Sequence, residues 1–285
     1  MRYRLIGVDL DGTLVHGSRI SARNQQAIRA AQASDVLVVP CTGRGWQESQ
    51  EVLRDYPDPS VGVFVSGAMV MDVDAGEALN LAVLEPAMAM RLVEHFFDEP
   101  EAVLVYRDRG AVGHDYLVTG AGSLSANTQW WFERTGVDVH FQETVTVDQM
   151  RHALRVGVVA TEPRMEPLKR GVREAFGDAV IVQSFAAVPS PDPEQSVHVL
   201  EVFAAGVDKW RGMAWVAENH GIGLDEVAVI GDEINDVSMV GSAGCGIAMG
   251  NAINEVKEVA RHITESCEND GVAAAIDALL SRRWT

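Results

Sequence analysis

The chain has 285 residues, of which 47% are hydrophobic, so it can bury a large apolar core in one or two domains. Its 41 acidic and 23 basic residues give a formal net charge of −18, which argues against a nucleic-acid partner. The three cysteines form no CxxC pair, which argues against a zinc site or a disulfide framework. No apolar stretch reaches the roughly 18 residues of a membrane span, and no signal-peptide pattern precedes residue 10. We therefore expect a cytoplasmic protein without a membrane partner.

Short apolar runs alternate with helical patterns in the first part of the chain. Buried strands are predicted at 5–8, 36–39 and 61–65, with helices at 21–33 and 46–53 between them. This alternation is typical of a mainly parallel α/β sheet.

The middle of the chain has a different pattern, a mixture of helices and strands from 84 to 195, ending in a proline-rich bend at 189–193. The α/β alternation then resumes with strands predicted at 198–202, 227–230 and 246–249. The predicted fold class is α/β, with a Rossmann-like doubly wound parallel sheet core. Residues 1–83 and 196–285 are expected to form this core, and residues 84–195 an inserted α+β cap.

Two carboxylates, Asp9 and Asp11, directly follow the first predicted strand. Ligands of open α/β sheets bind at the carboxyl ends of strands, so these side chains lie where a site is expected. One carboxylate can attack phosphorus as a nucleophile while the other transfers protons. The alternatives are a solvated Asp-Gly turn and a calcium loop. The spacing of an EF-hand would place Asp or Asn at residue 13 and Glu at residue 20, where Thr13 and Ile20 stand instead.

Two further segments offer donors to an anion. Thr42 supplies a hydroxyl, and Gly43 lets backbone N–H groups turn toward an anion before a predicted helix. Lys209, just before a later helix, is a compact charge suited to a phosphoryl group. A helix N-cap for Thr42 and a solvated surface side chain for Lys209 are the open alternatives.

The segment 231–236 follows the strand predicted at 227–230 and reads Gly-Asp-Glu-Ile-Asn-Asp. Asp232, Asp236 and the amide of Asn235 form an oxygen-rich group suited to Mg²⁺. An acidic helix N-terminus is the alternative. Together the four segments provide a nucleophile, a hydroxyl, a cation and a metal site, which are the parts that phosphoryl transfer requires.

The order of DLDGT (9–13), TGR (42–44), Lys209 and GDEIND (231–236) resembles the haloacid dehalogenase superfamily of phosphatases. The inserted region and the late segments 248–252 and 269–272 resemble its C2-capped Cof-type branch. This resemblance implies a Mg²⁺-dependent phosphatase that acts on a small phosphorylated metabolite, of the sugar phosphate type, through an aspartyl-phosphate. A phosphotransferase or phosphomutase with the same intermediate, and a catalytically silent binding protein, are the alternatives.

The resemblance also implies roles for individual residues. Asp9 is expected to be the nucleophile and a metal ligand, and Asp11 the general acid and base, with its backbone carbonyl on the metal. Asp232 is expected to be the remaining metal ligand, supported by Asp236. The phosphate is expected to be held by Thr42, Gly43, Lys209 and Asn235.

This sequence departs from the family pattern at two places. Ser66-Gly67-Ala68 stands where the family often has Asn-Gly-Ala, and Trp210 stands where glycine often follows the lysine. Neither departure removes a catalytic group, but both can change how the site is lined.

A tryptophan pair, Trp130 and Trp131, lies on a helix predicted in the inserted region. We expect the pair to pack between helix and sheet, with stacking on a substrate ring as the alternative.

Overall fold

The secondary structure is given by a computed structural model that describes residues 2–17, 19–188, 192 and 196–284. The strands are β1 (Leu5–Val8), β2 (Val15–His16), β3 (Arg19–Ile20), β4 (Leu37–Pro40), β5 (Val61–Phe64), β6 (Met69–Asp72), β7 (Glu77–Leu81), β8 (Val103–Arg107), β9 (Tyr116–Thr119), β10 (Val139–Phe141), β11 (Ala153–Thr161), β12 (Val180–Val188), β13 (Val197–Ala204), β14 (Val227–Gly231), β15 (Cys245–Ala248) and β16 (His262–Ile263). The helices are α1 (Ala22–Gln32), α2 (Trp46–Leu53), α3 (Pro86–Phe96), α4 (Arg109–Val112), α5 (Ala126–Thr135), α6 (Glu162–Phe176), α7 (Lys209–Asn219), α8 (Val237–Ser242), α9 (Asn254–Val259) and α10 (Gly271–Leu280). Within these described ranges, no helix is both long and apolar enough to cross a membrane. The bend predicted at 189–193 lies outside the described residues, except for Asp192.

The core sheet is parallel, with strand order β16-β15-β14-β1-β4. A backbone bond from Thr42 N to Val63 O, 2.9 Å long, places β5 beside β4. The chain starts at the central strand β1, builds outward through β4 and β5, and later builds the other side from β14 to β16. This arrangement confirms the predicted doubly wound α/β fold. The strand order reverses between β1 and β14, which is where such sheets bind ligands.

Strand β1 shows why this sheet has a buried centre. All four residues of its Leu-Ile-Gly-Val run are buried, as expected for a parallel strand with helices on both faces. Its glycine, Gly7, leaves room for Met213 of α7, whose Cε lies 2.7 Å from where a Cβ would stand. The strand therefore directs the residue after it, Asp9, to the carboxyl edge of the sheet.

Two glycines, Gly212 in α7 and Gly67 in the turn after β5, allow helix α7 to lie close to the β5 side of the sheet. A Cβ on Gly212 would lie 2.5 Å from Val63 Cγ1, and a Cβ on Gly67 would lie 1.9 Å from the Asp208 carbonyl oxygen. Gly67 also has a φ of +93°, which side chains other than glycine rarely adopt. This close approach fixes the first residue of α7, Lys209, against the core sheet.

The inserted unit has its own sheet, with strand order β10-β9-β8-β11-β13-β12. Its pairings are antiparallel except for the parallel pair of β9 and β10. Helices α3 and α6 contribute Leu92, Phe96 and Leu168 to an apolar core that includes residues of β8, β11 and β13. This unit therefore buries its own hydrophobic surface.

The boundaries between the two units differ from those predicted. The compact units are Met1–Asn80 with Asp208–Thr285, and Leu81–Val207. The strand predicted at 198–202 was expected in the core, but β13 pairs with β11 and β12 of the inserted sheet. The second boundary therefore lies at 207/208 rather than at 195/196.

Trp130 of helix α5 does not pack as predicted. The Trp130 side chain is 55% exposed, and Arg134 lies over its ring with the guanidinium carbon 5.7 Å from the ring centroid. The packed aromatic residue of this helix is Phe132, whose ring lies 4.8 Å from that of Tyr116. The expectation of packing between helix and sheet is wrong for Trp130.

Candidate active site

The residues predicted to form a site all lie in the core unit, and all except Lys209 follow the carboxyl ends of its strands. Asp9 and Asp11 follow β1, and Thr42 and Gly43 follow β4. Lys209 is the first residue of α7. Three predicted site residues, Asp232, Asn235 and Asp236, follow β14.

Three carboxylates from two of these loops lie together. One oxygen each of Asp9, Asp232 and Asp236 lies within 4.8 Å of the other two. Asp9 is 4% exposed and Asp236 is fully buried. Such a spacing is short enough for one divalent cation to contact more than one of them.

A single buried lysine lies among these carboxylates. Lys209 Nζ donates to Asp9 Oδ1 and to Asp236 Oδ1, each at 2.6 Å. Its side chain is fully buried, so the alternative of a solvated surface lysine is wrong. One ammonium against three carboxylates leaves the cluster with an excess of negative charge.

Asp236 uses both of its oxygens within the protein. While Oδ1 accepts from Lys209, Oδ2 accepts from the backbone N–H groups of Asp232 and Glu233 at 2.9 and 3.0 Å. A Cβ on Gly231 would lie 2.5 Å from Asp236 Cγ, so glycine is needed for this contact. Asp236 therefore holds the loop after β14 in place and orients Lys209.

Burial and neighbouring charges shift the pKa values of the groups in this cluster. Burial raises the pKa of Asp9 well above its ordinary value, although Lys209 opposes the shift. Burial, followed by the charge of Asp236, raises the pKa of Asp232 to about 7. Burial lowers the pKa of Lys209, but Asp236 and Asp9 outweigh it and raise that pKa above its ordinary value. A second cation at this cluster would offset the same repulsion.

Asp11 lies outside this cluster and is paired with Arg44. Arg44 Nε donates to Asp11 Oδ2 at 2.7 Å, and Arg44 Nη2 donates to Asp11 Oδ1. The Asp11 side chain is 54% exposed and that of Arg44 is 18% exposed. Arg44 lies in the TGR segment, but no role was predicted for it. Its position beside Thr42 and Gly43 was the only indication in the sequence.

The loop after β4 lies beside Asn235. A Cβ on Gly43 would lie 3.2 Å from Asn235 Nδ2 and 3.3 Å from Ser66 Oγ. The Thr42 hydroxyl accepts from Arg44 N at 3.1 Å, whereas the N-cap of α2 is Gly45. The structure therefore brings Gly43 and Asn235 together, and the N-cap alternative for Thr42 is wrong.

Ser66, the first departure from the family pattern, has an unusual environment. It is fully buried, and its hydroxyl has no hydrogen-bond partner among the residues that the structure describes. Its φ is +50°, and that of the preceding Val65 is +51°, both in the left-handed region. Backbone bonds from Val65 N to Arg44 O and from Ser66 N to Thr42 O hold this turn against the loop after β4.

Comparison with known proteins assigns the chain to an enzyme class, the phosphatases of the haloacid dehalogenase type. This assignment confirms the prediction from the sequence. The model of one family, described as haloacid dehalogenase-like hydrolase, matches residues 6–276. The chain therefore belongs to that family.

The relatives match over nearly their whole length. The protein YwtE of Bacillus subtilis (strain 168), named 5-amino-6-(5-phospho-D-ribitylamino)uracil phosphatase, is 28% identical over 300 residues, which cover 99% of each chain. A crystal structure of a haloacid dehalogenase-like hydrolase from Bacteroides thetaiotaomicron has a TM-score of 0.73 at 26% identity, covering 97% of this chain and 99% of that one. A haloacid dehalogenase-like hydrolase from B. subtilis, with a TM-score of 0.76 at 21% identity and the same coverage, shares the fold.

Proposed function

We propose that the chain hydrolyses the phosphomonoester of a small metabolite, in a Mg²⁺-dependent reaction with Asp9 as the nucleophile. The observation that carries the proposal is the buried cluster in which Asp9, Asp232 and Asp236 lie within 4.8 Å of one another and Lys209 contacts two of them. Membership of a hydrolase family supports the reaction class.

In the first step, an Asp9 carboxylate oxygen attacks phosphorus. Lys209 contacts Oδ1 of Asp9, so we assign the attack to Oδ2. The bond from phosphorus to the alcohol oxygen breaks, and Asp11 gives that oxygen a proton. The products of this step are the free alcohol and an aspartyl-phosphate on Asp9.

In the second step, Asp11 takes a proton from a water molecule whose oxygen attacks the aspartyl-phosphate. The bond between phosphorus and the Asp9 oxygen breaks, which releases inorganic phosphate and restores both carboxyl groups to their starting states. Because Arg44 engages both oxygens of Asp11, proton transfer requires Asp11 to exchange this contact for the reacting oxygen.

The donor set of the cluster fits a hard divalent cation. Oxygen ligands, burial and an excess of carboxylates over the single lysine are the features that such an ion needs. We assign its binding to the side chains of Asp9 and Asp232 and the backbone carbonyl of Asp11, with Asp236 in support. Bound there, Mg²⁺ supplies positive charge to the phosphoryl oxygens.

The remaining residues would hold the transferred group. Thr42, the backbone of Gly43 and the amide of Asn235 offer neutral donors, and Lys209 offers a charge. The proximity of Gly43 to Asn235 Nδ2 supports this assignment.

The substrate class we propose is a phosphorylated sugar or sugar alcohol. The name of the relative YwtE makes its substrate, a phosphorylated ribityl compound, the first candidate to test. We place the reaction in the cytoplasm, in keeping with the free thiols of Cys41, Cys245 and Cys267.

A phosphate-release screen tests this proposal. The purified chain would be given 5-amino-6-(5-phospho-D-ribitylamino)uracil, hexose and pentose phosphates, and pyridoxal phosphate, each with Mg²⁺ or with EDTA. We expect release of inorganic phosphate from at least one compound with Mg²⁺ only. Equal release in EDTA would overturn the metal assignment, and isomerisation of a sugar phosphate without free phosphate would favour a phosphomutase.

The substitution Asp9→Asn tests the nucleophile on the best substrate. It preserves shape but removes the attacking oxygen, so we expect kcat to fall by at least about 10³-fold. Asp74→Asn, on an exposed turn of the same unit, is the matched control and should keep full activity. Retained turnover in a folded Asp9→Asn protein would contradict the assignment.

A further inference from the structure

Both carboxylate oxygens of Asp232 are engaged by neutral side chains from other loops. The Thr13 hydroxyl donates to Asp232 Oδ1 at 2.6 Å. Asn251 Nδ2 lies 3.4 Å from Asp232 Oδ2. Thr13 is fully buried, so water cannot replace its short bond. No role was predicted for Thr13 or Asn251, although both lie in segments that carry the family resemblance.

Asn251 joins three loops at this point. Its Nδ2 donates to the Gly12 carbonyl at 2.9 Å, and its Oδ1 accepts from Cys267 N at 2.8 Å. The accepted bond fixes which end of the amide carries the N–H groups. A backbone bond of 3.0 Å from Ile253 N to the Asp232 carbonyl ties the same loop to Asp232 itself. The side chain of Asn251 therefore has a fixed place between Gly12 and Asp232.

Gly12 closes the remaining side of the carboxylate. Its φ is +77°, and a Cβ on it would lie 2.3 Å from Asp232 Oδ2. The carboxylate thus lies directly against the backbone of the loop after β1. Rotation about its terminal bond would break the Thr13 bond and move Oδ2 away from Asn251.

We propose that Thr13 and Asn251 are positioning residues that hold Asp232 in one orientation and thereby favour Mg²⁺ over Ca²⁺ at this site. The inference rests on the proposed function, in which Asp232 is a metal ligand. Mg²⁺ demands near-octahedral geometry with one or two carboxylates and several waters. Ca²⁺ takes six to eight oxygens and often both oxygens of one carboxylate. An Asp232 carboxylate held at both ends can offer one oxygen without moving, whereas chelation with both oxygens brings the cation against the oxygen that already accepts from Thr13.

Isothermal titration of the purified, metal-free chain with MgCl₂ and separately with CaCl₂ tests this inference. Thr13→Val removes the donor at nearly constant shape, and Thr13→Ser is the matched control that keeps it. We expect Thr13→Val to weaken Mg²⁺ binding by about 10- to 100-fold, as for other residues that orient metal ligands, and Ca²⁺ binding by clearly less. Thr13→Ser should retain the wild-type ratio of the two affinities.

Asn251→Ala provides a second variant, because Asn251 is exposed and its replacement does not open the buried core. We expect the Mg²⁺ to Ca²⁺ affinity ratio to fall in the same direction as in Thr13→Val, by a smaller factor, because its contact with Asp232 is longer. Circular dichroism of the metal-free variants would establish that both are folded.

The outcomes separate this inference from the proposed function. A wild-type chain that binds neither ion would overturn the metal part of the proposed function. A wild-type chain that binds Mg²⁺, with variants whose affinity ratio is unchanged, would overturn only the positioning role. An equal loss for both ions would also overturn it, since a merely structural defect does not distinguish the two cations.

Discussion

Two buried basic residues, one in each unit, show how differently the units use charge. Lys209 of the core contacts Asp9 and Asp236, and the carboxylate of Asp232 lies close by. Arg155 of the inserted unit pairs with Glu201, and both side chains are at least nine-tenths buried. Arg155 also donates to the Tyr116 hydroxyl at 2.6 Å.

The two buried clusters differ in the balance of basic and acidic groups. The inserted unit pairs one guanidinium with one carboxylate, and the guanidinium lies over the rings of Tyr106 and Tyr116. One positive charge therefore stands against one negative charge. The core places one ammonium among three carboxylates, and burial raises the pKa values of Asp9 and Asp232. Buried ion pairs contribute little to stability. A buried cluster with more carboxylates than cations is therefore better explained as a binding site for a further cation.

The largest effect on stability is expected from Lys209→Met in the core, with Arg155→Met as its counterpart in the inserted unit. Lys209→Met removes the partner of two buried carboxylates and Arg155→Met that of one, so each should lower the free energy of unfolding by about 3–5 kcal/mol in EDTA. Mg²⁺ should reduce the deficit of Lys209→Met, because removal of the ammonium strengthens cation binding, and should leave that of Arg155→Met unchanged. Urea unfolding with and without Mg²⁺ measures both deficits. Equal responses to Mg²⁺ would remove the distinction between the two units.

A smaller effect is expected from Gly12→Ala, with Gly17→Ala as its control. Both glycines have positive φ, so each substitution should cost about 1–2 kcal/mol through backbone strain. Only the Cβ at Gly12 would also clash with the Asp232 carboxylate, whereas Gly17 has open space around it. We expect Gly12→Ala alone to lose the rise in Tm that Mg²⁺ produces. Thermal unfolding measures this rise, and its survival in Gly12→Ala would show that Asp232 does not depend on this close contact.

The smallest effect is expected in the inserted unit, from Trp130→Gln. The Trp130 ring is mostly solvated, and its recorded ring contacts are with Arg134 and Trp131, so the loss should be about 0.5–1 kcal/mol. The buried Phe132 of the same helix is the contrast, since Phe132→Ala should cost about 3–5 kcal/mol. Neither change should alter the response of the core to Mg²⁺. Urea unfolding of both variants checks the order, and a reversed order would contradict the packing of helix α5.

The positions of Asp9, Thr42 and Asp232 in the core could be predicted from the sequence because they lie at the ends of strands. Each of them follows an apolar run directly, and parallel strands bring such positions to one edge. The pairing of Asp11 with Arg44 could not be predicted in the same way. It depends on the directions of two side chains from different loops, which spacing along the chain does not determine.

The inserted unit was less predictable because its pairings are not local. An apolar run at 198–202 indicates a strand, but nothing in that run reveals that it pairs with β11 and β12. The helix containing Trp130 and Trp131 raises a similar difficulty. Consecutive helical residues point about 100° apart, so the order of the aromatic residues alone did not identify Phe132 as the packed one.

The central claim, that the loops after β1 and β14 share one divalent ion, is tested most directly by anomalous diffraction from crystals of the chain grown with Mn²⁺ in place of Mg²⁺. We expect one anomalous peak within about 2–2.6 Å of a carboxylate oxygen of both Asp9 and Asp232. A Mn²⁺ peak that contacts neither carboxylate, with Lys209 still joined to Asp9 and Asp236, would contradict the account.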